Sequence, residues 1–266
     1  ASHILPHIAD RPLSIVRCPQ GTAAKCFFQK HVKPGLPKGI DSVEIVDRKS
    51  GKPEPYITLS DAAVIPELGQ LNVFELHPWG APSSDFEHPD RIIFDFDPDP
   101  DLPWKTLAAA TEEVRSRLKK LGLESFLKST GGKGLHVVAP IECEHDWATV
   151  KNFAHQLVLG MEAENPALYL TKMTKSARTG RIYLDYLRNE RGATAVAPYS
   201  PRSRPGVPVS IPMAWSELKA DAPPRCLVAD FSEWRKRLSH DPWAKLPQTK
   251  QRLTQKAIAA VSTNKK

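Results

Sequence analysis

The stretch Arg91-Ile92-Ile93-Phe94-Asp95-Phe96-Asp97, RIIFDFD at residues 91–97, decides how this chain is read. Its residues alternate, as a pleated strand requires. Ile92, Phe94 and Phe96 fall on one face, and Ile93, Asp95 and Asp97 on the other. Two carboxylates at i and i+2 therefore point the same way and repel, so an unneutralised pair is costly. A divalent cation between them removes that cost, and hard oxygen ligands suit Mg²⁺ or Mn²⁺. Asp97 precedes Pro98, which favours extended backbone and marks the strand end. The acidic run that follows also reads as a plain turn, and Asp-x-Asp occurs in Mn²⁺-dependent glycosyltransferases. At this point the reaction stays open.

Working outward, residues 102–121 predict a helix with Asp101 at its cap and Gly122 as its stop. Trp104, Leu107, Ala108, Thr111, Val114, Leu118 and Leu121 line one face of it. A hairpin follows: 125–129, a GGKG turn, then 135–139. Residues 147–162 read as an amphipathic helix, 181–187 (RIYLDYL) as a strand and 232–239 as a short helix. Toward the front, 13–17 and 25–29 read as short strands around Gly21, and 43–47 with 55–59 as a hairpin around Ser50-Gly51. Segments 31–42 and 198–212 are rich in Pro, the latter extended. Strands and helices mix without regular βαβ alternation, so the expected class is α+β.

The chain has 266 residues, 41% hydrophobic and 25% charged, which excludes a disordered chain. No apolar run approaches the ~20 residues of a membrane span, so no membrane partner is expected. Net charge is +7, but residues 245–266 hold six basic residues and no acid, leaving +1 for the rest. Bulk charge alone therefore does not argue for nucleic acid, and basic patches must be sought locally. Residues 245–266 read as a basic linker beyond a domain at 1–244. Cys18, Cys26, Cys143 and Cys226 form no C-x-x-C pair. They read as reduced, mostly buried thiols of a cytoplasmic protein, and a zinc site is not expected.

Asp185, inside RIYLDYL, sits where an unpaired carboxylate would be expensive. It reads either as a salt bridge to Arg181 or Arg188, or as a third carboxylate facing Asp95 and Asp97. The second alternative completes a site for in-line phosphoryl transfer with two divalent ions. STGGKGLHV (Ser129–Val137) has the composition of a phosphate cradle, although the spacing is not that of a Walker A loop. Lys133 adds charge there, and His136 alternates away from Leu135 and Val137. Arg202 and Arg204 fall on one side of an extended segment, as two guanidinium forks for a triphosphate. Arg178 and Arg188 are placed to converge on the same cleft. Phe27 and Phe28, followed by Gln29 and Lys30, offer stacking plus charge, which suits a nucleobase and its backbone.

The stretches CFFQKH, ELHPWG, IIFDFDP, STGGKGLHVVAP, MTKSARTGRIYLDYLRNERGATAVAPYSPRSRPG and PMAWSEL together closely resemble the polymerase domain of bacterial ATP-dependent DNA ligase D. That family belongs to the archaeo-eukaryotic primase superfamily and acts in non-homologous end joining. The resemblance implies a primase-like catalytic core and a polymerase that favours ribonucleotides. It implies two divalent ions on Asp95, Asp97 and Asp185, with Mn²⁺ favoured over Mg²⁺. It implies that His77, Ser129, Thr130, Lys133, Gly134 and His136 hold the nucleoside triphosphate, with Arg178, Arg202 and Arg204 around its phosphates. Phe27 and Phe28 match the pair that meets the template base, and Arg17, Lys30 and Arg188 complete the expected DNA contacts. The implied partners are DNA double-strand ends and gapped duplex, nucleoside triphosphates, a Ku-like end-binding protein and a ligase domain. The implied setting is bacterial or archaeal cytoplasm, at the nucleoid. The family's basic front segment, which senses a downstream 5′-phosphate, is expected to be missing, leaving Arg17 as its local substitute. Rival readings are a primase that needs no primer, a non-catalytic end-bridging module, and the glycosyltransferase.

Overall fold

A computed structural model describes residues 1–48 and 50–262. Its strands are β1 (Leu13–Arg17), β2 (Phe27–Gln29), β3 (Asp41–Val46), β4 (Pro53–Thr58), β5 (Val73–Pro78), β6 (Arg91–Pro98), β7 (Phe126–Ser129), β8 (Leu135–Pro140), β9 (Tyr169–Leu170), β10 (Ile182–Asp185) and β11 (Pro212–Met213). The α-helices are α1 (Leu5–Ile8), α2 (Val64–Gln70), α3 (Trp104–Lys120), α4 (Trp147–Glu164), α5 (Phe231–Trp234) and α6 (Gln255–Ser262). The class is α+β, as the mixed element pattern predicts. Among the described residues no helix is long and apolar enough to cross a membrane.

The chain divides into two compact units. The first joins residues 1–86, 194–211 and 225–240. Its sheet runs β2-β1-β4-β3, with β5 also pairing β1. Ile8, Leu13, Ile15, Ile57, Leu59 and Leu76 fill its core. The second unit joins residues 87–193, 212–224 and 241–266. It is built on the six-stranded sheet β11-β7-β8-β6-β10-β9, antiparallel except where β9 meets β10.

In the second unit the strand alternation does what RIIFDFD foretold. Ile92, Phe94 and Phe96 join Leu127, Leu135, Val137, Ile182 and Leu184 under α3 and α4. Removing that apolar area from water drives the unit's folding. Helix α3 buries Leu107, Thr111, Val114 and Leu118 at helical spacing, and Gly122 leaves it at φ +80°, where glycine carries no Cβ penalty. Its N-cap is Pro103, not Asp101. Asp101 instead donates its amide to the Asp99 carboxylate in the preceding turn. Helix α4 has a side-chain cap, Asp146 accepting from the Thr149 amide at 2.8 Å.

Three further expectations need correcting. The strand read as 181–187 ends at Asp185, and Leu187–Asn189 turns as a 3₁₀ helix. The basic segment from 245 is no linker, because it folds through Ser262. Leu253, Ala257 and Val261 are buried in the second unit's core, and the Gln251 side chain donates to the Glu124 and Pro140 carbonyls. Lys265 and Lys266 lie outside the described residues. Finally, Cys18 and Cys26 are not free thiols but a disulfide, while Cys143 and Cys226 keep their thiols.

Candidate active site

The register of the second unit's sheet puts Lys128 opposite His136, His136 opposite Asp95, and Asp95 opposite Asp185. Directly paired residues share a face. Four ionisable side chains on β7, β8, β6 and β10 therefore form one row on the face away from α3 and α4. All four are buried. Asp97, two residues along β6, lies on the same face opposite Tyr183.

Arg188, on the 3₁₀ turn after β10, reaches back into this row. Its Nε lies 2.9 Å from Asp95 Oδ2 and its Nη2 3.2 Å from Asp185 Oδ2. His136 Nε2 lies 3.2 Å from Asp95 Oδ1. Burial raises the cost of ionising Asp95, but His136 and Arg188 outweigh it and hold that carboxyl below the usual range. Asp97 is pushed up to about 6, by burial first and then by the charge of Asp95. Asp185 is raised too, again mainly by burial. His136 drops to about 4, through burial and the neighbouring Lys128 charge, so its ring is neutral at pH 7. Arg178 stacks on Tyr183 at 4.2 Å and stands 3.8 Å from Asp97.

The glycine turn closes beside this row. Thr130 donates both its amide and its hydroxyl to the Gly134 carbonyl, each at 3.1 Å. Gly134 is required by close approach: a Cβ there would come 2.5 Å from the Phe96 carbonyl oxygen. The turn is thereby pressed onto the end of β6 that carries Asp97. Lys133 is exposed and donates to the Pro100 carbonyl at 3.0 Å. Ser129 and Thr130 are buried. His136, expected to hold nucleotide, is packed against Asp95.

The first unit holds the other expected site residues. His77 Nε2 meets Glu75 Oε2 at 2.8 Å, and Arg202 Nε donates to the same oxygen at 2.8 Å. The Ser203 amide donates to Oε1 at 2.8 Å. Burial raises the Glu75 pKa, but these donors overcome it and hold the carboxylate well below the usual range. Phe28 packs its ring edge-on to His77, centroids 5.5 Å apart. Phe27 and Phe28 are 44% and 66% exposed, unusual for such large apolar rings. Arg17 lies over Phe27 and donates to Gln29 and the Leu71 carbonyl. Lys30 is paired with Asp47 at 2.8 Å.

Arg202 and Arg204 do not form two parallel forks. The segment turns, with the Arg204 amide donating to the Arg202 carbonyl. Arg202 then points to Glu75, while Arg204 stays exposed. Glu75 and Lys128 were missed in the sequence. Glu75 in ELHPWG carried a faint signal, since its i+2 spacing to His77 puts both on one face. The Arg202 contact spans 127 residues and left no local trace.

A family model described as the LigD primase-polymerase domain matches residues 1–243. The chain belongs to the LigD primase-polymerase family. It is 36% identical over 263 residues to the multifunctional non-homologous end joining protein LigD of Pseudomonas aeruginosa, covering 96% of this chain and 30% of that protein. The corresponding protein of Mycolicibacterium smegmatis is 31% identical, over 82% of this chain and 29% of its own length. The chain thus spans under a third of these curated relatives. The polymerase domain of Mycobacterium tuberculosis ligase D, solved in complex with DNA, superposes with a TM-score of 0.81 at 26% identity. That match covers 96% of this chain and 87% of the other. As a LigD primase-polymerase domain, the chain has the fold its motifs implied.

The residues fit the divalent ions that such a polymerase-type domain implies. Asp95 Oδ1 is buried beside the neutral His136 ring, and burial makes Asp97 and Asp185 costly to ionise, a cost that a cation would offset. Hard carboxylate oxygens suit Mg²⁺ and Mn²⁺. Among the described residues no three acidic, His or Cys side chains close into a ready cage. Arg188 instead supplies the positive charge between Asp95 and Asp185.

Proposed function

We propose that this chain is a template-directed nucleotidyltransferase that adds nucleotides, ribonucleotides preferred, to DNA ends and gaps in non-homologous end joining. The single observation behind this is the row of Asp95 and Asp185 on neighbouring strands, with Asp97 beside them, in a chain of the LigD family. The attacking group is a primer 3′-OH, its target the α-phosphate, and pyrophosphate leaves. Asp95, Asp97 and Asp185 would hold two divalent ions, Mn²⁺ favoured, whose chemistry is to acidify the 3′-OH and offset charge on the triphosphate. Asp95 and Asp97 are fixed by β6 and Asp185 by β10, so the carboxylates are positioned before substrate arrives. Thr130 and Gly134 hold the glycine turn closed, while Lys133 and Arg178 offer positive charge to the phosphates. In the first unit Glu75 holds His77 and Arg202 in place, and Phe28 offers its exposed ring to a template base. No side chain is needed as general base.

The proposed partners are gapped duplex and double-strand ends, nucleoside triphosphates, a Ku-like protein and a ligase domain. The proposed setting is bacterial cytoplasm at the nucleoid. The test is primer extension on a gapped duplex, comparing ribo- with deoxynucleotides and Mn²⁺ with Mg²⁺. Metal-dependent addition of one or a few nucleotides, faster with ribonucleotides, is expected. No extension with either metal would overturn the polymerase reading. Equal use of both sugars would overturn the ribonucleotide preference alone.

A further inference from the structure

β2 is the outer strand of the first unit's sheet, held on β1 by three residue pairs: Ile15 with Gln29, Val16 with Phe28, and Arg17 with Phe27. The next pair outward along this antiparallel ladder is Cys18 with Cys26. Their Cα atoms are 4.3 Å apart, close to the spacing of directly opposed antiparallel residues. The ladder itself therefore brings the two sulfurs together, and the structure joins them. The bond closes the loop 19–25, which turns at Gly21 with φ +84°. Cys18 is fully buried, whereas Cys26 is partly exposed and directly precedes Phe27.

We propose that Cys18 and Cys26 are a reversible redox staple that orders the edge strand presenting Phe27 and Phe28 to nucleic acid. The functional half of this rests on the template reading of those rings given above. Oxidation removes two protons and two electrons from the thiols and makes one S–S bond. Hydrogen peroxide accepts them and leaves as two waters. Reduction begins at the accessible Cys26 sulfur: a dithiol attacks it, the Cys18 thiolate leaves, and the second thiol resolves the mixed disulfide. A short outer strand whose two aromatic rings stay 44% and 66% exposed has little packing to fix it. Cross-linking its base reduces the conformations that must be ordered when a strand of DNA docks.

The staple is tested on the full chain in three readings. Peptide mapping after thiol alkylation compares peroxide-treated with dithiothreitol-treated protein. Limited trypsin digestion follows cleavage after Lys25 in both states. Fluorescence anisotropy compares their affinities for a duplex with a single-stranded template overhang, alongside the Cys18→Ser/Cys26→Ser double variant and Phe28→Ala. The expected results are a Cys18–Cys26 cross-linked peptide after peroxide and slower cleavage after Lys25. Overhang affinity should be about threefold higher in the oxidised state. The double variant should behave as the reduced protein under both treatments, which sets aside Cys143 and Cys226. Free thiols at both positions after peroxide would overturn the staple. A cross-link that changes neither cleavage nor affinity would overturn its ordering role. If cleavage changes while neither oxidation nor Phe28→Ala alters affinity, the staple stands as an ordering device and the template reading of Phe28 fails instead.

Discussion

Single side chains set the charge balance of both clusters. Asp97 costs more to ionise in the folded than in the unfolded chain, because burial and Asp95 push it up to about 6. Its contribution therefore favours the fold at acid pH and is lost as pH rises through about 6. Asp97→Asn should raise the melting temperature of the metal-free protein at pH 7.5 and leave it nearly unchanged at pH 3, below the ordinary carboxylate value. Its side chain keeps 45% of its surface exposed, so screening trims the gain to about 1 kcal/mol, or roughly 2–4 °C. A melt that is equally shifted at both pH values would contradict the assignment. Glu75 has the opposite sign, stabilising above the ordinary carboxylate range and losing that contribution on acidification. Glu75→Ala strips His77, Arg202 and Ser203 of their common acceptor, at about 3 kcal/mol. The isosteric Glu75→Gln should stay folded but raise the KM for nucleotide more than it lowers kcat, which steady-state extension kinetics would read.

Strands and helices explain what the sequence could and could not reveal. Period-two alternation in RIIFDFD was enough to put Asp95 and Asp97 on one face, and the GGKG turn between two apolar runs was enough for the hairpin of β7 and β8. Register across non-adjacent strands has no such local signature. That is why Asp185 could be suspected but not paired, and why Lys128, opposite His136, went unnoticed. The Cys18–Cys26 pairing was hidden for a related reason: it depends on which residues of β1 and β2 face each other. Gly134 shows how tightly two elements meet near the site. Gly134→Ala would drive a Cβ toward the Phe96 carbonyl, where backbone must shift, costing about 1–3 kcal/mol. Thermal melts should show that loss, together with slower extension, whereas Gly51→Ala meets no neighbour and should cost about 1 kcal/mol from its positive φ alone. A Gly134→Ala protein as stable as wild type would mean that β8 sits further from β6.

At the scale of the whole molecule, composition misplaced the end of the chain. Its run of basic residues reads as solvated linker, yet every third or fourth position is apolar, and those positions are the ones buried: Leu253, Ala257 and Val261. Removing residues 245–266 should therefore destabilise the second unit by about 2–4 kcal/mol, from lost apolar burial, which urea unfolding would measure. An unchanged midpoint would return the segment to linker status. The division into two units also separates the expected site residues, with the three aspartates in one and His77 and Arg202 in the other. The central claim rests on the former. The direct measurement is Mn²⁺ binding by electron paramagnetic resonance and primer extension on a gapped duplex, for wild type, Asp95→Asn and Asp185→Asn, each checked for folding by circular dichroism. Both variants should lose Mn²⁺ affinity and extend primers about a thousandfold more slowly or worse while remaining folded. Wild-type Mn²⁺ binding and extension in either folded variant would contradict the account.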